Sequence, residues 1–210
     1  MSSLADQLAQ FKVIPVIEIS VLSSAAPLAD ALMQNGLPVA EVTFRSDIAA
    51  EALAAMKAAQ PELLVGAGTV LTTEQVDKAI AAGADFIVSP GFNPKIVQYC
   101  QQQSVAMIPG VNSPSQIEQV MELGVTAIKF FPAEATGGVK FLKAILAPYR
   151  NIRVMPTGGI NAANILDYLA LPAVFACGGS WMVDKKLLDA GDFDTLGKLI
   201  ADARAVVEKA

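Results

Sequence analysis

Eight short apolar runs, each bounded by turn residues and separated by segments of helical period, limit what this 210-residue chain can fold into. They lie near Val13 to Ile19, Val39 to Phe44, Leu63 to Ala67, Asp85 to Ser89, Val105 to Pro109, Thr126 to Phe131, Ile152 to Thr157 and Ala173 to Gly178. Their starts are about 20 to 26 residues apart, the length of one strand, one three-turn helix and two tight loops. Strands that are apolar on both faces belong to a parallel sheet covered by helices, and eight is the number that closes a barrel. The expected fold class is therefore α/β, a (β/α)8 TIM barrel, with the chain at the small end for that architecture. A doubly wound open sheet is the alternative. It needs fewer units and usually a glycine-rich turn after the first strand, whereas Val13 to Ser20 contains no glycine.

Two further helices fit outside the repeat. One, Leu4 to Phe11, could plug the barrel bottom; the other, Phe193 to Val207, carries Leu196, Leu199, Ile200, Ala203 and Val206 on one stripe. Helix starts are legible at Thr72-Thr73-Glu74-Gln75 and Ser113-Pro114-Ser115-Gln116, which have capping-box spacing, and at Asn93-Pro94. Gly36, Gly83 and Gly124 follow helical segments, where a left-handed residue closes the last turn. No low-complexity stretch or charge block interrupts the rhythm, so residues 1–210 read as a single domain.

Composition removes several classes of function. Hydrophobic residues make up 53% and charged ones 17%, yet no apolar run approaches the roughly 18 residues that span a bilayer. The opening Met1-Ser2-Ser3-Leu4-Ala5-Asp6 lacks the basic and apolar segments of a secretory signal, so a cytoplasmic protein without a membrane partner is expected. Net charge is −5 and the basic residues are scattered, which leaves no stripe to follow a nucleic-acid backbone. The two cysteines, Cys100 and Cys177, are too few for a disulfide scaffold and read as buried thiols. The absence of histidine removes His-ligated zinc, the Ser-His-Asp triad and imidazole acid–base chemistry.

What chemistry remains centres on Lys129, in Ala127-Ile128-Lys129-Phe130-Phe131-Pro132-Ala133-Glu134. Alternation along the strand places Lys129 on one face with Ala127 and Phe131. An ammonium in such apolar surroundings must find a partner or give up its proton, and the neutral amine is the form that attacks carbonyl carbon. The competing reading is a lysine that snorkels from an edge strand to water. Glu41, Thr43 and Arg45 alternate on the second strand and so bring a carboxylate and a guanidinium to one face, either as a working pair or as a structural ion pair. Arginine's planar fork suits a substrate carboxylate, with Thr69 as a possible hydroxyl donor or simply a helix-entry residue. Thr157-Gly158-Gly159 and Cys177-Gly178-Gly179-Ser180 follow the seventh and eighth strands, where barrels hold phosphate on backbone amides; two tight turns are the plainer alternative.

Together AIKFFPAE at 127–134, EVTFR at 41–45, VGAGTV at 65–70, SPGF at 89–92, PTGGI at 156–160 and CGGSW at 177–181 resemble the class I 2-dehydro-3-deoxy-phosphogluconate (KDPG) aldolases, a family that also includes 4-hydroxy-2-oxoglutarate (KHG) aldolase activity. The resemblance implies a homotrimeric barrel acting on a small 2-oxo acid, with no cofactor and no metal. It makes Lys129 the Schiff-base lysine, Glu41 the general acid/base, and Arg45 with Thr69 the carboxylate clamp. Phe131 packs beside the imine, Thr157 contacts a substrate hydroxyl, and Gly158, Gly159, Gly179 and Ser180 line the phosphate site. One position departs from the pattern: some members carry an arginine near the end of strand one that helps bind phosphate, and Glu18 stands there. Two rivals share parts of the pattern. Metal-dependent sugar-phosphate epimerases share the phosphate loops but usually need histidine ligands, and a non-catalytic trimeric phosphate-binding barrel has no reason to bury Lys129, Glu41 and Arg45 together.

Overall fold

The computed structural model describes residues 3–210; Met1 and Ser2 of the opening segment lie outside the described residues. Strands and helices alternate from the start. Helix α1 (Leu4–Ala9) precedes β1 (Val13–Ile17), then follow α2 (Ala25–Gln34), β2 (Val39–Thr43), α3 (Ala49–Ala59), β3 (Leu64–Gly68), α4 (Thr73–Ala81), β4 (Phe86–Val88) and α5 (Pro94–Gln102). The chain continues through β5 (Ala106–Ile108), β6 (Gly110–Val111), α6 (Pro114–Glu122), β7 (Ala127–Phe130), α7 (Gly138–Leu146), β8 (Arg153–Pro156) and α8 (Ile165–Leu169). It ends with β9 (Cys177–Gly179), α9 (Lys185–Ala190) and α10 (Phe193–Val207).

This is an α/β fold in which every strand pairing is parallel. One sheet has the order β5-β4-β3-β2-β1-β9 and the other the order β6-β7-β8. Two of the eight expected strands differ from the sequence reading. The fifth run, Val105 to Pro109, supplies β5 alone, and pairing resumes beyond it as β6, because proline has no N–H to give a neighbour; its carbonyl still accepts from Lys129 N at 2.9 Å. The eighth run pairs as a strand only over its last residues, Ala173 to Ala176 being held to β8 by an isolated bridge, Val154 to Val174. A second bridge joins Thr157 to Gly178 at the other end of the same seam.

Local signals set the helices. The side chains of Thr72, Asn93 and Ser113 accept from the first turns of α4, α5 and α6. The reciprocal halves of the two expected capping boxes fall one residue early: Gln75 Oε1 accepts from Leu71 N and Gln116 Oε1 from Asn112 N. Gly36, Gly83 and Gly124 have φ of 72°, 87° and 73°, the left-handed closures expected of them. On α10 the buried face is Leu196, Gly197, Ile200, Ala203 and Val207, so Leu199 and Val206 sit at its margin. Gly197 has no Cβ because one would press on Asn35 at 3.0 Å, which brings α10 close against the end of α2.

Val13, Ile14, Val39, Val42, Val65, Ala67, Phe86 and Ile87 are fully buried, Ile14 and Val39 on the inward strand face shared with Val16 and Glu41 and Phe86 against Gly66, each large side chain contributing about 1.5–3 kcal/mol. Helix α1 lies across the amino-terminal ends of the strands, with Leu8 buried and Arg153 of β8 paired to Asp6. The carboxyl ends are left open. Both thiols are buried and free, and burial pushes the Cys100 thiol up to about 11. No helix among the described residues is long and apolar enough to cross a membrane.

Candidate active site

Lys129 stands in the middle of the three-stranded sheet, opposite Gly110 on β6 and Met155 on β8. Its ammonium does not snorkel to water: the side chain is 6% exposed and Nζ lies 3.0 Å from Glu41 Oε1 and 3.4 Å from Oε2. Of the two outcomes open to a lysine in apolar surroundings, the fold supplies a partner. Glu41 is fully buried on β2, in the other sheet, so the pair spans the interior. Charges this close attract by about 5 kcal/mol at an effective dielectric near 20, while desolvation costs several kcal/mol per ion. The two terms nearly offset, so net stability gives no reason for this pair in place of hydrocarbon, and its use is to be sought in chemistry.

A glycine makes the pair possible. A Cβ built on Gly68 of β3 would stand 2.3 Å from Glu41 Oε1, so only glycine leaves the carboxylate its position. The ring of Phe131, centred 5.6 Å from Lys129 Nζ, forms the near wall of a cavity of about 170 Å³. Val16, Arg45 and Ile160 share that wall, and the remainder is Thr157, Gly158, Gly159, Gly178, Gly179 and Ser180. Larger cavities exist, one of about 670 Å³ beside α1, but the lysine–carboxylate pair adjoining that one, Lys57–Asp85, is part-exposed, whereas Lys129–Glu41 is buried. Chemistry, not volume, selects the smaller one.

Of the two residues expected to clamp a carboxylate, Arg45 lines the cavity and Thr69 does not. Arg45 lies in the turn after β2, exposed, lining the cavity, and its guanidinium has no partner among the described residues. The structural Glu41–Arg45 ion pair is therefore not formed, Glu41 being taken by Lys129. Thr43, between them, ties β2 to β1 by donating to the Ile17 carbonyl at 3.0 Å. Thr69 is half-buried at the end of β3, is not among the residues lining the cavity, and has a left-handed backbone, φ 58°. For a β-branched residue that conformation costs about 1–3 kcal/mol and clusters at functional positions.

Thr157 is buried and its Oγ1 has no hydrogen-bond partner among the described residues. Gly178 is opposite, and a Cβ there would meet that oxygen at 2.4 Å. Gly158 and Gly159 have φ of 101° and 79°, which L side chains rarely adopt, and Glu134 packs where a Cβ on Gly159 would stand. The loops after β7 and β8 are tied together: Ala133 N donates to Thr157 O at 2.8 Å and Glu134 N to Gly158 O at 3.0 Å. Tyr168, fully buried on α8, donates to Glu134 Oε1. Burial first, and this bond second, raise the Tyr168 hydroxyl well above its ordinary value.

The sequence does not single out Gly68, Val16 or the Glu134–Tyr168 contact, and it marks Gly178 as part of a glycine loop but not as the neighbour of Thr157. A glycine inside a strand does announce close approach by something. What approaches lies on another strand, which no local pattern names.

A family model described as "KDPG and KHG aldolase" matches residues 4–199. The chain is 50% identical to a 2-dehydro-3-deoxy-phosphogluconate aldolase of Haemophilus influenzae, over 97% of this chain and 96% of that one. It is 44% identical to the KHG/KDPG aldolase of Escherichia coli, over 91% and 90% of the two chains. Among solved structures, the KDPG aldolase of Legionella pneumophila, with pyruvate captured as a covalent carbinolamine, superposes with a TM-score of 0.92 at 38% identity, covering 96% of this chain and 98% of that one.

Proposed function

The chain belongs to the KDPG and KHG aldolase family, and from that membership we propose a reaction written in terms of its own residues. It is a class I aldolase that cleaves 2-dehydro-3-deoxy-6-phosphogluconate reversibly to pyruvate and glyceraldehyde 3-phosphate, and 4-hydroxy-2-oxoglutarate to pyruvate and glyoxylate. Glu41 takes a proton from Lys129, the neutral amine adds to the C2 carbonyl, and Glu41 hands that proton to the carbinolamine hydroxyl, which leaves as water; a protonated imine and a free Glu41 carboxylate remain. Glu41 then accepts the C4 hydroxyl proton, directly or through water, and the C3–C4 bond breaks as its electrons move into the imine. The aldehyde departs, Glu41 returns a proton to C3 of the enamine, and hydrolysis frees pyruvate and Lys129. Arg45 and Thr69 hold the C1 carboxylate, Phe131 packs on the imine, and Thr157 meets a substrate hydroxyl. Gly158, Gly159, Gly179 and Ser180 receive the phosphate.

The observation that carries this reading is the buried 3.0 Å contact between Lys129 Nζ and Glu41 Oε1. Borohydride reduction in the presence of pyruvate is expected to leave a covalent adduct on the Lys129 peptide; an unmodified peptide overturns the scheme. Lys129→Ala is expected to be folded and inactive.

The same reading extends to the architecture. We take residues 1–210 as one domain and the two sheets as a closed (β/α)8 barrel with an added helix at each end. Parallel pairing throughout and the two bridges beside β9 support it. We further propose a homotrimer in the cytoplasm, whose contacts would cover exposed apolar side chains such as Ile80 and Met121. Sedimentation should give three chains per particle, and a monomer at all concentrations would rule this out.

A further inference from the structure

We infer that Glu18 is a specificity residue of this site, biasing it away from a phosphate at the far end of the substrate and toward an uncharged hydroxylated tail. The inference rests on the aldolase reading above and goes beyond it in naming what sets the choice of donor.

Strand β1 determines where Glu18 points. Ile17 and Ile19 are buried behind the strand, whereas Val16 lines the cavity and Glu18 is partly exposed, so Glu18 follows Val16 on the cavity face. It stands two residues, about 6.6 Å, nearer the mouth. The pairings agree: Val16 is opposite Glu41 and Ile17 opposite Val42, which carries Glu18 to the level of Thr43. On the other side Pro15 is opposite Gly179, so Ser180 comes level with Val16, just beneath Glu18. The carboxylate thus sits on the rim between the Ser180 loop and the turn bearing Arg45.

Its charge is only partly neutralised. Lys185 Nζ is 3.9 Å from Glu18 Oε1, at the limit of an ion pair. That ammonium is already engaged by Asp189 Oδ2 at 3.1 Å and by the Ser20 hydroxyl, which in turn donates to Asp189 at 3.0 Å. Two carboxylates therefore share one ammonium, and Glu18 is the loosely held one. Beneath it the glycine turns offer backbone N–H groups and the Ser180 hydroxyl. A phosphate dianion seated there meets the repulsion of Glu18, while a sugar hydroxyl can donate to it. One unit charge acting on a dianion across the screened mouth is expected to change binding about three- to tenfold.

The test compares kcat/KM for phosphorylated and unphosphorylated 2-dehydro-3-deoxygluconate in the wild type, Glu18→Gln and Lys185→Met. Glu18→Gln should raise the phosphorylated-to-unphosphorylated ratio about three- to tenfold, through KM, and inorganic phosphate should inhibit it more strongly by a similar factor. Lys185→Met, which leaves Glu18 without its counter-ion, should lower the ratio. Both effects should shrink in high salt. A ratio and a phosphate inhibition unchanged in Glu18→Gln at low salt overturn the inference. If wild-type protein also fails to trap pyruvate on Lys129, the aldolase reading itself has failed; an intact trap with an unchanged ratio removes only the role of Glu18.

Discussion

Two glycines on one strand, Gly66 and Gly68, have opposite meanings. A Cβ on Gly66 would meet the Phe86 ring at 2.1 Å, a matter of core packing, whereas one on Gly68 would meet Glu41 Oε1 at 2.3 Å. Gly66→Ala is expected to cost about 1–3 kcal/mol of stability by overpacking and to leave chemistry in the surviving folded protein near normal. Gly68→Ala forces the carboxylate aside, and a displacement near 1 Å is expected to lower kcat by about a hundredfold. Denaturant melts and steady-state rates on both variants separate the two meanings; equal losses of rate would contradict them. Strand alternation makes Glu41 and Arg45 legible as neighbours on one face; that Glu41 meets Lys129 across the interior while Arg45 stays exposed is visible only in the fold. Gly68 is not legible, since the group that needs its space belongs to a different strand. Thr69, next to it, shows only a hydroxyl in the sequence; its strained backbone, φ 58°, is visible only in the fold.

Among the elements, helix starts were read well because a cap is a bargain between residues three apart, as at Thr72 and Ser113. Strand limits were read less well, since pairing depends on partners far along the chain; Pro109 and the half-paired run before Cys177 show this. Helix α1 is an element whose attachment can be tested by pH. The Asp6 carboxyl is held below the usual carboxylate range, first by the Ser3 hydroxyl and then by the Arg153 guanidinium. A folded-state value below the unfolded one, about 3.9, stabilises above that value and ceases to do so as the pH falls through the lowered one. Asp6→Asn is therefore expected to melt below the wild type at neutral pH, by a small margin because the pair is exposed, with the gap closing in strong acid and shrinking in salt. Thermal melts across pH check this; a gap independent of pH would show that packing, not charge, holds α1.

At the scale of the molecule, the regular spacing of eight apolar runs carried the α/β class and the parallel pairing, because that rhythm is a property of the whole chain. The seam between β8 and β9 could not be read, resting as it does on single bridges. On that side the loop after the lysine strand and the glycine turn after β8 are pinned to each other by the Ala133 and Glu134 amides, and Tyr168 of α8 holds the Glu134 carboxylate. Under the proposed reaction the two act as one ledge, with the amine at its inner edge and the proposed seat for the substrate's distal group at its outer edge. Seating that distal group should therefore stiffen the frame from which the amine works, so that remote contacts speed the reaction as well as tighten binding. Donors cut short of it should lose kcat as well as KM. Tyr168→Phe, which frees one pin, should narrow the kcat difference between long and short donors.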